Sequence, residues 1–210
     1  MPEGSPVSQK VPCSKCGVPI LKSTAMRTNG LCMPCKGGYR VSIVERKRYI
    51  REERERRLTD PYRKLWVSLV EKVYQSPTGF DGLSHPQKLY FAVGLLEGDV
   101  YNGGFHQYFF NDSGSYYAYA EEGLIAVGAF QTLELLQEAK ETLFPGVPVP
   151  VKTAERRHSF PSHPEGSLST PKWSEKLDDL NKRFWADSEG VAIRFEAFAR
   201  NHELISNKGS

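Results

Sequence analysis

Four cysteines stand in two pairs near the start of the chain, "CSKC" at 13–16 and "CMPC" at 32–35, with fifteen residues between the pairs. Two thiolates separated by two residues can point from one tight turn at a single ion. A second such turn completes a tetrahedron with Zn–S bonds of about 2.3 Å. Gly17 follows the first pair directly and Gly37 lies two residues past the second, which gives both turns unhindered backbone. Two disulfides or four free thiols are the competing reading; paired spacing in a chain without a basic-then-apolar leader favours zinc. No histidine competes as a ligand, since the first in the sequence is His85. Cys13, Cys16, Cys32 and Cys35 are therefore expected to hold one Zn2+ ion in a closed, structural site.

The second group with chemical potential is "YNGGFHQYFFNDSG", residues 101–114. His106 is its natural general base, with Asp99 or Asp112 to orient it. Yet no serine or cysteine nucleophile stands in a recognisable elbow, no phosphate-cradling loop is present, and His106 lacks a neighbouring metal-ligand partner. A lone histidine in an aromatic run reads as packed and hydrogen-bonded, and a non-enzymatic protein is expected. Tyr101, Tyr108, Tyr116, Tyr117 and Tyr119 could stack nucleobases, but the acids around them would repel phosphates. If Gly103 and Gly104 break the chain, Phe105 to Phe110 can form a short helix. It would carry Phe105 and Phe109 on one face, and His106 with Phe110 on another. Asn102, Gln107 and Asn111 then read as hydrogen-bonders that fix the corner.

The elements that position these groups follow from charge and periodicity. Residues 1–60 hold 13 Lys/Arg and 6 Asp/Glu, a net of +7, within a chain whose total is +3. From Asp81 to Glu138 the only Lys or Arg is Lys88, against eight acids. A basic front end on an acidic globule suggests different partners for the two ends. "RVSIVERKRYIREERERRLTD" from Arg40 contains neither Gly nor Pro and reads as a solvated connecting helix. Glu52–Arg56 and Glu53–Arg57 are expected as pairs four residues apart. Arg46, Lys47, Arg48, Arg51 and Arg54 are its candidate contacts to nucleic acid.

In the remainder, Asp60 and Pro61 signal a helix start, with Leu65, Trp66, Leu69, Val70 and Val73 on its buried face. Ser84 opens a second helix carrying Leu89, Val93 and Leu96. Residues 115–144 read as one long apolar helix, and 145–171 as a proline-rich surface connection holding His158 and His163. A final pair of helices hinges near Ser188, Glu189 and Gly190. Strand patterns are confined to the cysteine segment. The fold class is thus an all-α bundle of five or six helices (59–205), preceded by a zinc-ribbon-like segment (1–39) and a charged linker helix (40–58).

Asn102, Gly103, Gly104, Phe105, Gln107, Tyr108, Phe109, Asn111 and Gly114 resemble the signature of a bacterial helical domain named after the C-terminal part of a DNA-mimic protein. The later "LDDLNKRFWA", with Leu177, Leu180 and Phe184, is similar to that family's closing segment. The likeness spans about residues 60–204. It implies a helical, non-enzymatic protein of bacterial or phage origin, and it introduces DNA mimicry by carboxylates. Asp81, Glu97, Asp99, Asp112, Glu121 and Glu122 are the candidate acids for such a partner surface. The expected function is a zinc-containing interaction protein that binds a protein partner, in a regulatory, immunity or antagonist role. The alternative is a nucleic-acid-associated factor acting through residues 1–60. No apolar run reaches the roughly 20 residues of a membrane span, and a cytoplasmic location is expected.

Overall fold

The structure, a computed structural model, describes residues 10–161 and 170–205; His163 lies outside that range. The chain divides between Thr59 and Asp60 into two compact units.

In the first unit, strands β1 (Lys10–Pro12) and β2 (Pro19–Leu21) pair antiparallel with Val11 opposite Ile20. Short helices α1 (Lys22–Arg27) and α2 (Met33–Lys36) follow. Its interior is little more than Cys13, Cys32 and Cys35, with Val18, Ile20 and Leu31 packed around them. So small a core needs a further source of folding energy. Helix α3 (Arg40–Thr59) keeps Val41, Val44, Tyr49, Ile50 and Leu58 exposed, so it has no buried stripe. Arg56 pairs with Glu53 at 2.9 Å, and Glu52 instead meets Arg48 at 3.8 Å. The expected Glu52–Arg56 pair is thus replaced by its neighbours, at little energetic consequence for exposed charges. The Arg57 side chain lies outside the described part.

The second unit is helical throughout its described residues. Asp60 accepts the Tyr62 N–H at 2.9 Å and Pro61 takes the first position of α4 (Pro61–Gln75). Gln87 accepts the Ser84 N–H at 3.1 Å to open α5 (His85–Phe110). After it come α6 (Tyr117–Ala126), α7 (Phe130–Leu143), α8 (Thr153–His158), α9 (Lys172–Trp185) and α10 (Val191–Asn201). Single 3-10 turns cover Gly79–Gly82 and Asp112–Tyr116. Among the described residues seven α-helices stand where about five or six were expected, within the all-α class. The long apolar segment splits because Gly128 adopts φ +69°, closing α6 with Ala129 N–H on the Leu124 carbonyl at 2.9 Å. The proline-rich connection, in turn, contains α8. The α9–α10 hinge falls where expected, with Gly190 left-handed at φ +62°.

Leu89, Val93 and Leu96 of α5 form one core with Leu124, Leu136, Leu180 and Phe195. Gly123 permits close approach there, since a Cβ would stand 2.8 Å from Val93 Cγ2. Leu65 and Leu69 join Leu83, Phe91 and Ala199 in a second core. Among the described residues no helix is long and apolar enough to cross a membrane.

Candidate functional site

The four cysteine sulfurs lie within 4.8 Å of one another. Cys16 Sγ and Cys32 Sγ are 3.7 Å apart, far beyond a disulfide bond of about 2.05 Å. A tetrahedron with 2.3 Å bonds has edges of about 3.8 Å, so the spacing suits four ligands around one ion. Gly17 turns the first knuckle at φ +71°, its N–H on the Cys13 carbonyl at 2.9 Å. In the second knuckle the left-handed residue is Gly38, at φ +76°, while Gly37 has an ordinary φ and leaves room for the Tyr39 ring. The Cys32 N–H donates to Cys13 Sγ at 3.1 Å and draws that thiol down to about 6. Burial, followed by the neighbouring thiols, pushes Cys35 up to about 12. The set can hold a metal ion, which would neutralise thiolates that repel each other in its absence.

The aromatic corner is built by a break inside α5. Gly104 sits at φ +76°, ψ −179°, a region open essentially to glycine alone. The helix restarts at once, and its first free donor, Phe105 N–H, is met by Asn181 Oδ1 of α9 at 2.9 Å. A Cβ on Gly104 would stand 2.4 Å from Asn181 Nδ2, so glycine is required twice over. On the other side of the break, the Val100 carbonyl accepts from the Trp185 indole at 2.9 Å. Asp99 Oδ1 accepts from both Gln107 Nε2 and Asn111 Nδ2 at 3.0 Å. Asn102, by contrast, is exposed and makes no hydrogen bond through its side chain among the described residues. Phe105, Tyr108 and Phe109 are fully buried.

The residue that finishes the corner is Arg156, which lies in α8 and is fully buried. Its guanidinium donates to the carbonyls of Phe109 (2.6 Å), Asn111 (2.5 Å), Pro150 (2.8 Å) and Val151 (2.9 Å). It also reaches the hydroxyls of Ser115 and Thr153, both at 3.2 Å. These carbonyls end α5 and line the loop before α8, so one side chain satisfies acceptors that would otherwise be buried unpaired. Burial lowers its pKa, but a guanidinium keeps its charge. Beside it, Arg157 donates to the Phe110 carbonyl at 2.8 Å and lies over the Phe110 ring at 4.2 Å.

Sequence reasoning missed Arg156, Asn181 and Trp185. The signal for Asn181 was a polar residue beside Leu180 on an otherwise apolar face; Arg156 gave none, because its acceptors are backbone atoms.

The other expected residues scatter. His106 is exposed, stacked on Phe110 (5.7 Å) and Trp173 (6.0 Å) with Phe160 edge-on (5.3 Å), and desolvation lowers its pKa. Neither expected orienting acid serves it: Asp99 is held by Gln107 and Asn111, and Asp112 accepts from Thr153 at 2.7 Å. Of the five tyrosines, Tyr108 is buried, Tyr116, Tyr117 and Tyr119 pack against the core, and Tyr101 alone is exposed, against Phe184. The candidate acids do not form a single sheet of charge. Asp81 and Asp112 are exposed, as is Glu122, which pairs with His85 at 2.6 Å. Asp99 Oδ2 is buried and has no hydrogen-bond partner among the described residues. Burial, with Asp187 nearby, pushes Glu97 up to about 7. Arg46, Lys47, Arg48, Arg51 and Arg54 are all exposed on α3.

Glu121 lines a cleft of about 780 Å³ between α6, α7 and the loop 148–151. Glu134, Glu138 and Glu141 share it, against Lys140 alone among basic residues. Lys140 is already paired with Glu141 at 3.1 Å, and Tyr117 and Val149 supply apolar wall. Burial and the Glu121 carboxylate hold the Tyr117 phenol well above its ordinary range.

No curated protein and no solved structure matches the chain. Residues 81–202, which include the broken helix, the Arg156 clamp, Asn181 and the acidic cleft, match the family model described as DMP19-like protein. That match takes in more than half of the 210 residues, and the chain belongs to the DMP19-like family.

Proposed function

We propose that this chain is a non-enzymatic, zinc-containing interaction protein whose helical unit binds the basic surface of a protein partner. The observation that carries the reading is the acidic cleft, lined by four glutamates: Glu141 pairs with Lys140 and Glu138 with Arg183 at 3.6 Å, which leaves Glu121 and Glu134 without an ion pair among the described residues. Its apolar wall adds contact area to the charge, as a protein interface requires. DMP19 is a DNA-mimic family, which supports a DNA-binding protein as the partner, its phosphate-binding face engaged by these carboxylates. Zinc is the metal favoured by four thiolates at tetrahedral spacing, and its role is to fold the first unit. A reducing, cytoplasmic setting suits four reduced thiols.

The test is capture of DNA-binding proteins by the full-length protein across a salt series. Glu134→Gln/Glu138→Gln should weaken capture and flatten its salt dependence. Unchanged capture by that variant would remove the cleft from the interface.

A second reading rests on α3, whose five candidate basic side chains are exposed. Nucleic-acid binding there would give full-length protein a steep fall of log K with log salt on generic DNA. No binding at low salt would leave the protein-partner reading alone.

A further inference from the structure

A smaller cleft of about 280 Å³ opens between α4, α5 and α10. Tyr62 and Trp66 enter it from α4, Tyr90 and Glu97 from α5, Phe195 and Glu196 from α10. Four aromatic rings and two carboxylates thus face one small space. Gly94 makes this arrangement fit, since a Cβ there would stand 2.4 Å from Trp66 Cζ3. The indole lies close over the α5 backbone and stacks on Phe91 at 5.4 Å. Tyr90 meets Phe195 edge-on at 6.0 Å.

The charges in this cleft are unevenly matched. Glu97 is half-buried, and among the described residues no hydrogen bond or ion pair reaches its carboxyl. Among the described residues Glu196 has only Arg200, at 4.0 Å and exposed. Arg63, on the lining, is exposed and bonded to neither acid among the described residues. One of the rings already takes a cation: Arg200 Cζ stands 5.7 Å from the Tyr62 ring centre and its Nη1 bonds the Tyr62 hydroxyl. A half-buried carboxyl with no counter-ion among the described residues, set among aromatic rings, is the chemistry that recognises a weakly hydrated organic cation once it is ionised, above its raised pKa of about 7. A hard metal ion would need six or more oxygen ligands, which two carboxylates and two phenols do not supply.

We propose that this cleft binds a small alkylammonium cation of the tertiary or quaternary class, seated among Tyr62, Trp66, Tyr90 and Phe195 with Glu97 as its counter-ion. The site is separate from the acidic cleft of α6 and α7 and does not depend on how that cleft is used. Aromatic walls select for methylated nitrogen over sodium or potassium, because the ring faces replace a hydration shell that methyl groups have already weakened.

The experiment is a titration of the zinc-loaded protein at pH 8, where Glu97 is ionised, with tetramethylammonium and choline chlorides, ionic strength being matched with sodium chloride. Binding is followed through the indole N–H resonances by NMR. Saturable shifts of the Trp66 signal are expected with both cations and absent with sodium. Glu97→Gln should weaken binding by about tenfold and Trp66→Phe, which keeps the packing on Phe91, by several-fold. Unfolding curves of both variants establish that they remain folded. A peptide carrying trimethyllysine, run in the same titration, separates a cation presented by a protein chain from a free one; tighter binding of either supports the site. Absence of saturable binding, or binding that both variants leave unchanged, overturns the proposal.

Discussion

Gly114 and Arg156 occupy complementary space: a Cβ at 114 would stand 2.6 Å from Arg156 Nε. The guanidinium cannot retreat, because four carbonyls and two hydroxyls hold it. Gly114→Ala is therefore expected to lower unfolding free energy by about 2–3 kcal/mol through overpacking alone. Arg156→Met should cost about 3 kcal/mol or more, since it strands buried acceptors. Arg156→Lys should rescue little, because a single ammonium cannot span the fork. Denaturant unfolding of the three variants checks the order.

Gly104 and Asn181 give a second stability test. Gly104→Ala meets both a left-handed φ and the Asn181 side chain, and about 2 kcal/mol of destabilisation is expected. Asn181→Ala removes the acceptor for Phe105 N–H at an expected cost of about 1–2 kcal/mol. The double variant should fall short of the sum, because the clash disappears with Asn181 while the backbone strain remains. An additive pair would mean the two residues do not share the space.

Metal removal should separate the two units. Chelation or Cys32→Ser is expected to unfold the segment around the four cysteines while leaving the main thermal transition of residues 60–205 nearly in place. Amide hydrogen exchange resolves the outcome residue by residue. Loss of protection throughout α4–α10 would contradict it.

Glu97 predicts a pH dependence with a definite sign. Its folded pKa of about 7 lies above the ordinary 4.5, so the folded state binds the proton more tightly than the unfolded chain. Its stabilising contribution is full below pH 4.5 and fades as pH rises through 7, by about 3 kcal/mol at most. Glu97→Gln should thus be more stable than the parent at pH 8, with the difference shrinking towards pH 5. Unfolding curves at the two pH values decide it.

What the sequence made legible were features written in residue type. Pro61, Ser84, Gly190 and the cysteine spacing each announce a local geometry, and the helices and the sulfur cluster stand where they point. The broken helix was legible too, because only paired glycines explain that interruption in an apolar run. Three things were not. Gly128 splits α6 from α7 without disturbing the apolar period on either side. Glu97 looked like surface charge because nothing in α5 tells that α4 and α10 enclose it. Arg156 sits in a proline-rich stretch beside Arg157, and one of these neighbours is buried while the other is exposed. Only the fold distinguishes them.

The bond from Phe105 N–H to Asn181 spans 76 residues of chain. During synthesis the aromatic corner leaves the ribosome long before the residue that caps it, and the Trp185 indole that meets Val100 comes later still. The hallmark segment of this protein therefore cannot close until α9 has emerged, and a truncated product ending before α9 would present its aromatic corner open to solvent and to chaperones.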